Sequence, residues 1–175
     1  MLLGISGSLR EASVNRKLIR EAARFYGGEF IEADLRFPLY DGDLEDRDGV
    51  PDEVQTLSEQ IAAAEAVVIS SPEYNQSFSG VLKNALDWVS RTKGGPWRDK
   101  PVAIMSAAAG RAGGARANYA LRLAMTPFRP RLLTGPEVLL ANAGKQYDEN
   151  GHLTDERTRT ALEELMQALK AEAAR

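Results

Sequence analysis

Short apolar runs alternate along this chain with longer stretches in which apolar residues return every three to four positions. That alternation constrains the fold more than any single motif does. Leu2-Leu3-Gly4-Ile5 reads as a buried strand, and Val14, Leu18, Ala22 and Phe25 follow at helical spacing. Glu29 to Leu35 sets Phe30 and Ile31 among charges as a second strand, and Pro51 opens a helix carrying Val54, Leu57 and Ile61. Ala66-Val67-Val68-Ile69 is the clearest strand, β-branched and stopped at Ser70-Ser71-Pro72. Ser77 to Ser90 then puts Val81, Ala85, Trp88 and Val89 on one helical face. Pro101 to Met105 reads as a fourth strand, Ala115 to Met125 as helix and Glu137 to Leu140 as the last strand. Leu162, Leu165, Met166 and Leu169 mark a closing amphipathic helix.

Five strands interleaved with five helices, with no repeat, low-complexity tract or linker, predict one α/β domain over residues 1–175. The expected architecture is a doubly wound, five-stranded parallel sheet of flavodoxin-like order 2-1-3-4-5, with helices on both faces. Such sheets bind ligands beyond the carboxyl ends of their strands, near the switch point between strands one and three. Three loops are therefore the candidates, those beginning near Ser6, Ser71 and Ser106.

Composition narrows the chemistry available there. The chain has no Cys and a single His, His152, which removes thiol nucleophiles, Cys-containing zinc sites and two-His metal motifs. A net charge of −3 gives no basic footprint for nucleic acid and no polybasic membrane patch. The first residues lack the pattern of a signal peptide, and the apolar runs fall short of the ~20 residues of a membrane helix. The expected compartment is the cytoplasm.

The first loop, Gly7-Ser8-Leu9-Arg10-Glu11-Ala12-Ser13-Val14-Asn15, runs into the first helix. Free N–H groups and the positive helix end suit an anion there, with Ser8, Ser13, Asn15 and the planar fork of Arg10 as further donors. The loop has neither the P-loop lysine nor GxGxxG spacing. Its plainer alternative is a helix cap at Ser13 and a solvated Arg10. The second loop, Ser71-Pro72-Glu73-Tyr74-Asn75-Gln76-Ser77, presents backbone groups beside an aromatic and can border a flat heteroaromatic ring, or simply cap the next helix. The third, Ser106 to Gly114, is made of small residues plus Arg111; it lets backbone approach a ligand closely, or is a surface connection.

Two long motifs then carry a resemblance. Gly7-Ser8-Leu9-Arg10-x-x-Ser13-x-Asn15 and Pro72-Glu73-Tyr74-Asn75-x-Ser77-x-x-Gly80-x-Leu82-Lys83-Asn84-Ala85-Leu86-Asp87-Trp88 resemble the NADPH-dependent FMN reductase family, its chromate, quinone and ferric reductase branch above all. Pro38-Leu39-Tyr40-Asp41 and Gly113-Gly114-Ala115-Arg116 are similar to that branch as well. The resemblance implies an FMN phosphate held by Ser8, Arg10, Ser13 and Asn15, with Val14 in the same turn. It further implies an isoalloxazine ring bordered by Pro72, Glu73, Tyr74 and Asn75, with Ser106, Ala107 and Gly110 along another edge. NADPH or NADH would be the electron donor, and quinones, ferric complexes, chromate, azo compounds or free flavin the acceptors, in ping-pong order. No residue is required as a general acid or base. Family members are dimers or tetramers, so a homodimer or homotetramer is implied, with the Ser77–Ser90 helix and Trp88 as one candidate surface. A flavodoxin-like electron carrier or a flavin-binding sensor would use the same cofactor without turnover.

Other candidates carry less. Asp41 to Asp48 imitates a calcium loop but has Asp46 at its sixth position instead of glycine, and reads as a solvated acidic loop. Asp34 lacks the GxGxxG context of a ribose-binding acid. His152 follows Gly151 in a turn, and Trp88 and Tyr119 read as core or subunit contacts.

Overall fold

A computed structural model describes residues 1–175. In chain order the elements are β1 (Leu2–Ser6), α1 (Val14–Tyr26), β2 (Phe30–Glu32), α2 (Gly42–Asp48), α3 (Asp52–Ala63), β3 (Ala66–Ser71), α4 (Gly80–Val89), β4 (Pro101–Ala107), α5 (Ala115–Met125), β5 (Arg131–Leu132), β6 (Leu139–Leu140) and α6 (Glu156–Ala173). The strands form one parallel sheet in the order β2-β1-β3-β4-β5, and β6 also pairs with β4. This is the doubly wound order expected from the β-α alternation.

The register explains why β1, β3 and β4 are apolar on both sides. Leu3 stands beside Val67, and Val67 beside Val102, so one face of the sheet is a continuous row of branched side chains. That face packs with Val54, Leu57 and Ile61 of α3, Leu82 and Leu86 of α4, and Leu121 and Met125 of α5. The alternate residues, Leu2, Val68, Ala103 and Met105, meet Leu18, Ile19 and Ala22 of α1 and Leu162, Leu165 and Met166 of α6. Each such large side chain, fully buried, stabilises the fold by roughly 1.5–3 kcal/mol of transfer free energy.

Four of the sequence expectations are corrected. The last strand does not run from Glu137 to Leu140; it is split into β5 and β6, which meet opposite ends of β4. Pro136 lies between the two pieces and has no N–H to give a ladder. The acidic stretch after Asp41 is helix α2, because the Asp41 carboxylate accepts the Asp43 amide as an N-cap. Helix α4 begins at Gly80 with Ser79 as its cap, since Ser77 is held in a tight hairpin with Tyr74. Trp88 is not a surface residue: it is fully buried, and its indole N–H donates to the Pro38 carbonyl at 2.9 Å. No helix is long and apolar enough to cross a membrane.

Candidate functional site

The carboxyl ends of β1, β3 and β4 lie side by side, and the three loops that leave them converge. Gly7 continues the strand pairing by donating to Ser70 O at 2.8 Å. A Cβ on Gly7 would stand 3.0 Å from Ser79 Oγ and 3.2 Å from Pro72 Cδ, so the first loop presses on the second. Ser8 is buried, its amide donating to Ser6 Oγ at 3.3 Å, whereas Arg10 projects into solvent with no acidic partner. Ser13 caps α1 through hydrogen bonds from the amides of Asn15 (3.2 Å) and Arg16 (3.5 Å). The amides of Arg10, Glu11, Ala12 and Val14 have no acceptor within the protein, and the first turn of α1 contains no acidic residue. Tyr147 pins this turn from outside by donating to the Val14 carbonyl at 3.0 Å, and burial pushes its phenol well above the usual range.

Asn15 is placed differently from the other members of its motif. Its side chain points inward, 1% exposed, and spans the tips of two strands. Oδ1 accepts from Ser70 Oγ at 2.8 Å and from the Ala107 amide at 3.0 Å, while Nδ2 donates to the Ala107 carbonyl at 3.0 Å. Ala107 is therefore drawn to the first loop by its backbone.

The second loop turns at Asn75 and Gln76, both in the left-handed region with φ of 49° and 68°, which closes the Tyr74–Ser77 hairpin. This leaves Tyr74 half exposed, with its ring free to meet a ligand. Glu73 turns away toward α5, where its carboxylate accepts the Arg116 amide at 3.1 Å and faces the Arg116 guanidinium at 3.3 Å. Helix α5 has no side-chain cap of its own on Gly114, so Glu73 serves as one from a distant loop.

The third loop is held against β6. Ser106 Oγ donates to Gly113 O at 2.7 Å, and a Cβ on Gly113 would fall 2.4 Å from the Leu139 carbonyl oxygen, which excludes any larger residue. Gly110 by contrast faces open space, and Arg111 is exposed without a partner. Ser8, Arg10, Ser13, Val14, Asn15, Pro72, Ser106 and Ala107 are thus gathered at one edge of the sheet, with Tyr74, Asn75 and Gly110 on its rim. Ser70 and Arg116 do as much to shape this edge, although neither stood among the candidate site residues. Ser70 read only as the end of a strand, and no spacing rule links Glu73 to a residue 43 positions away.

Two other regions lie outside this arrangement. A concavity of about 620 Å³ opens between α4, the 90–98 segment and the end of α5, near the amino end of β4. It exceeds the hollow of about 250 Å³ beside Ser8, Leu9 and Glu32, but it holds none of the convergent loop residues. His152 lies on a hairpin beside Arg24, with Nδ1 3.4 Å from Glu21, far along the chain from the loops.

A doubly wound parallel sheet with an anion-ready helix start at its switch point and a small-residue loop on the neighbouring strand defines a nucleotide- or flavin-binding α/β protein. The sequence pattern of the NADPH-dependent FMN reductases matches residues 1–145. The chain is 43% identical to an NAD(P)H-dependent FMN reductase of Pseudomonas aeruginosa, over 97% of this chain and 92% of that one. It is 36% identical to a quinone reductase of Escherichia coli, over 87% and 84%. Among solved structures, the flavoenzyme NAD(P)H:(acceptor) oxidoreductase FerB of Paracoccus denitrificans superposes with a TM-score of 0.88 at 30% identity, covering 99% of this chain and 96% of that one. The chain belongs to the NADPH-dependent FMN reductase family, a family of oxidoreductases.

Proposed function

We propose that residues 1–175 form one FMN-binding domain that oxidises NADPH or NADH and reduces small acceptors such as quinones, ferric complexes, chromate, azo compounds or free flavin. The observation that carries this reading is the donor set at the start of α1. A phosphate monoester is a dianion that needs several N–H and O–H donors. The free amides of Arg10 to Ala12 and Val14, the hydroxyls of Ser8 and Ser13, and the unpaired Arg10 guanidinium meet that need. Asn15 belongs to the same turn and adds its backbone dipole.

Pro72, Tyr74 and Asn75 border the ring on one side, and the backbone of Ser106, Ala107 and Gly110 on another. Glu73 supports that border from behind through Arg116. Bound FMN would supply the acceptance of a hydride from NAD(P)H and the delivery of its two electrons, together or one at a time, to an oxidised acceptor. The chain's own residues bind and orient, and no side chain in the three loops has to move a proton. Donor and acceptor share one open face, which gives ping-pong kinetics. Exposed Leu39, Tyr119 and Leu123 favour association of copies into a homodimer or homotetramer, which equilibrium sedimentation resolves. The cytoplasm, where NAD(P)H is supplied, is the compartment that suits this activity.

Purified protein reconstituted with FMN should be yellow and should bleach on adding NADPH or NADH without oxygen. Steady NAD(P)H consumption with a quinone then separates an enzyme from a carrier or a sensor. A colourless protein that gains no FMN overturns the reading.

A further inference from the structure

The β3–β4 ladder ends at the Ser71–Ser106 pair, because the chain leaves β3 at Pro72 and the Glu73 amide does not reach Ala107. Beyond that pair the Ala107 carbonyl receives no backbone donor, and a buried carbonyl left without a partner destabilises the strand end. The Asn15 side chain takes the missing rung. Its amide offers an acceptor and a donor in the same relation as a backbone peptide, and both are used on Ala107. The second lone pair of Oδ1 is taken by the Ser70 hydroxyl. Reversing the amide would set donor against donor at the Ala107 amide, so the network fixes its orientation. Three of the four hydrogen-bonding positions of this side chain are spent inside the protein.

We propose that the Asn15 side chain is a positioning residue, a buried clamp that fixes the phosphate-side turn of α1 to the ring-side ends of β3 and β4. This rests on the FMN reading above and deepens it. The clamp sets the separation between the two halves of the cradle, one built by the first loop and the other by the backbone from Ser106 to Gly110. Such a residue acts on the whole flavin, whereas a phosphate ligand acts only on flavins that carry a phosphate.

Riboflavin, which lacks the phosphate, separates the two roles. Dissociation constants for FMN and riboflavin are measured by flavin fluorescence with wild-type protein, Asn15→Ala, Asn15→Asp and Arg10→Ala. Asn15→Ala is expected to weaken both flavins by a common factor of about ten or more, since it leaves Ala107 and Ser70 unsatisfied. Arg10→Ala is expected to weaken FMN alone. Asn15→Asp keeps both acceptor contacts but turns a carboxylate oxygen toward the Ala107 carbonyl. Riboflavin affinity, relative to wild type at each pH, should recover as acid protonates that oxygen and restores the donor. Recovery with a flavin that has no phosphate cannot come from relieved charge repulsion at the phosphate.

Loss of FMN affinity with riboflavin unaffected in Asn15→Ala would overturn the clamp in favour of a direct phosphate contact. Unchanged affinity for both flavins would overturn it outright. If Asn15→Ala does not fold, the pH recovery of Asn15→Asp decides alone, and its absence counts against the clamp. Wild-type protein that binds neither flavin would bring down the FMN reading itself, which no variant result can do.

Discussion

Glu73 and Arg116 join the second loop to the first turn of α5: one carboxylate oxygen accepts the Arg116 amide at 3.1 Å while the other faces its guanidinium at 3.3 Å. The contact to the helix amide carries more than the ion pair, because the Arg116 side chain is largely exposed and screened. Glu73→Ala should therefore cost about 1 kcal/mol, the usual value for a lost N-cap. Glu73→Gln, which keeps an acceptor, should lose less. Urea unfolding monitored by circular dichroism reads the difference, and equal losses in both variants would reassign the effect to charge.

Arg10 has no protein partner, so removing it leaves folding alone. Arg10→Ala should keep the wild-type unfolding midpoint of the flavin-free protein. It should weaken FMN by about 1.5–3 kcal/mol, roughly one to two powers of ten in Kd. Fluorescence titration against the apoprotein measures this directly.

Glycines three residues apart should behave oppositely. Gly113 has φ of 59°, and its added Cβ would meet the Leu139 carbonyl. Gly113→Ala should cost on the order of 2–4 kcal/mol through left-handed strain and displacement of β6. Gly110 faces open space, and Gly110→Ala should stay within about 0.5 kcal/mol of wild type. Denaturant midpoints of the two variants supply the comparison.

Acid should weaken the fold through two capped carboxylates. The Thr158 hydroxyl and amide hold the Asp155 carboxyl below its ordinary range, and the Tyr26 hydroxyl, then the N-terminal ammonium, do so for Glu65. A lowered folded pKa contributes stability above the unfolded value, about 3.9 for Asp and about 4.3 for Glu. That stability is lost as pH falls through the folded value. Asp155→Asn retains an acceptor for Thr158 but cannot titrate, so its unfolding free energy should fall less steeply than wild type below about pH 4.

The elements that could be read in advance are those whose side chains report burial. β3 and β4 are apolar on both faces, and α5 runs from Ala115 to Met125 as its periodicity predicts. The split of the last strand was hidden because Leu139 and Leu140 look the same whether they close a four-residue strand or a two-residue one. Helix α2 was hidden because it buries nothing and depends on the Asp41 cap. At the site, the motifs located the loops, but they could not say which way a side chain points. Asn15 and Glu73 both belong to recognisable motifs, and both turn out to hold the protein together at its strand ends. Hydrogen bonds across 92 and 43 positions leave no local trace.

The divided last strand has a bearing on how copies of this chain can meet. One margin of the sheet is β2, three residues long, and the other offers only the two-residue pieces β5 and β6. Neither supplies the long run of unpaired N–H and C=O groups on which a foreign strand is templated. Runaway strand addition is thereby discouraged in a protein whose central strands are strongly β-forming, and the exposed apolar side chains Tyr119 and Leu123 stand on helix α5 and away from any strand margin.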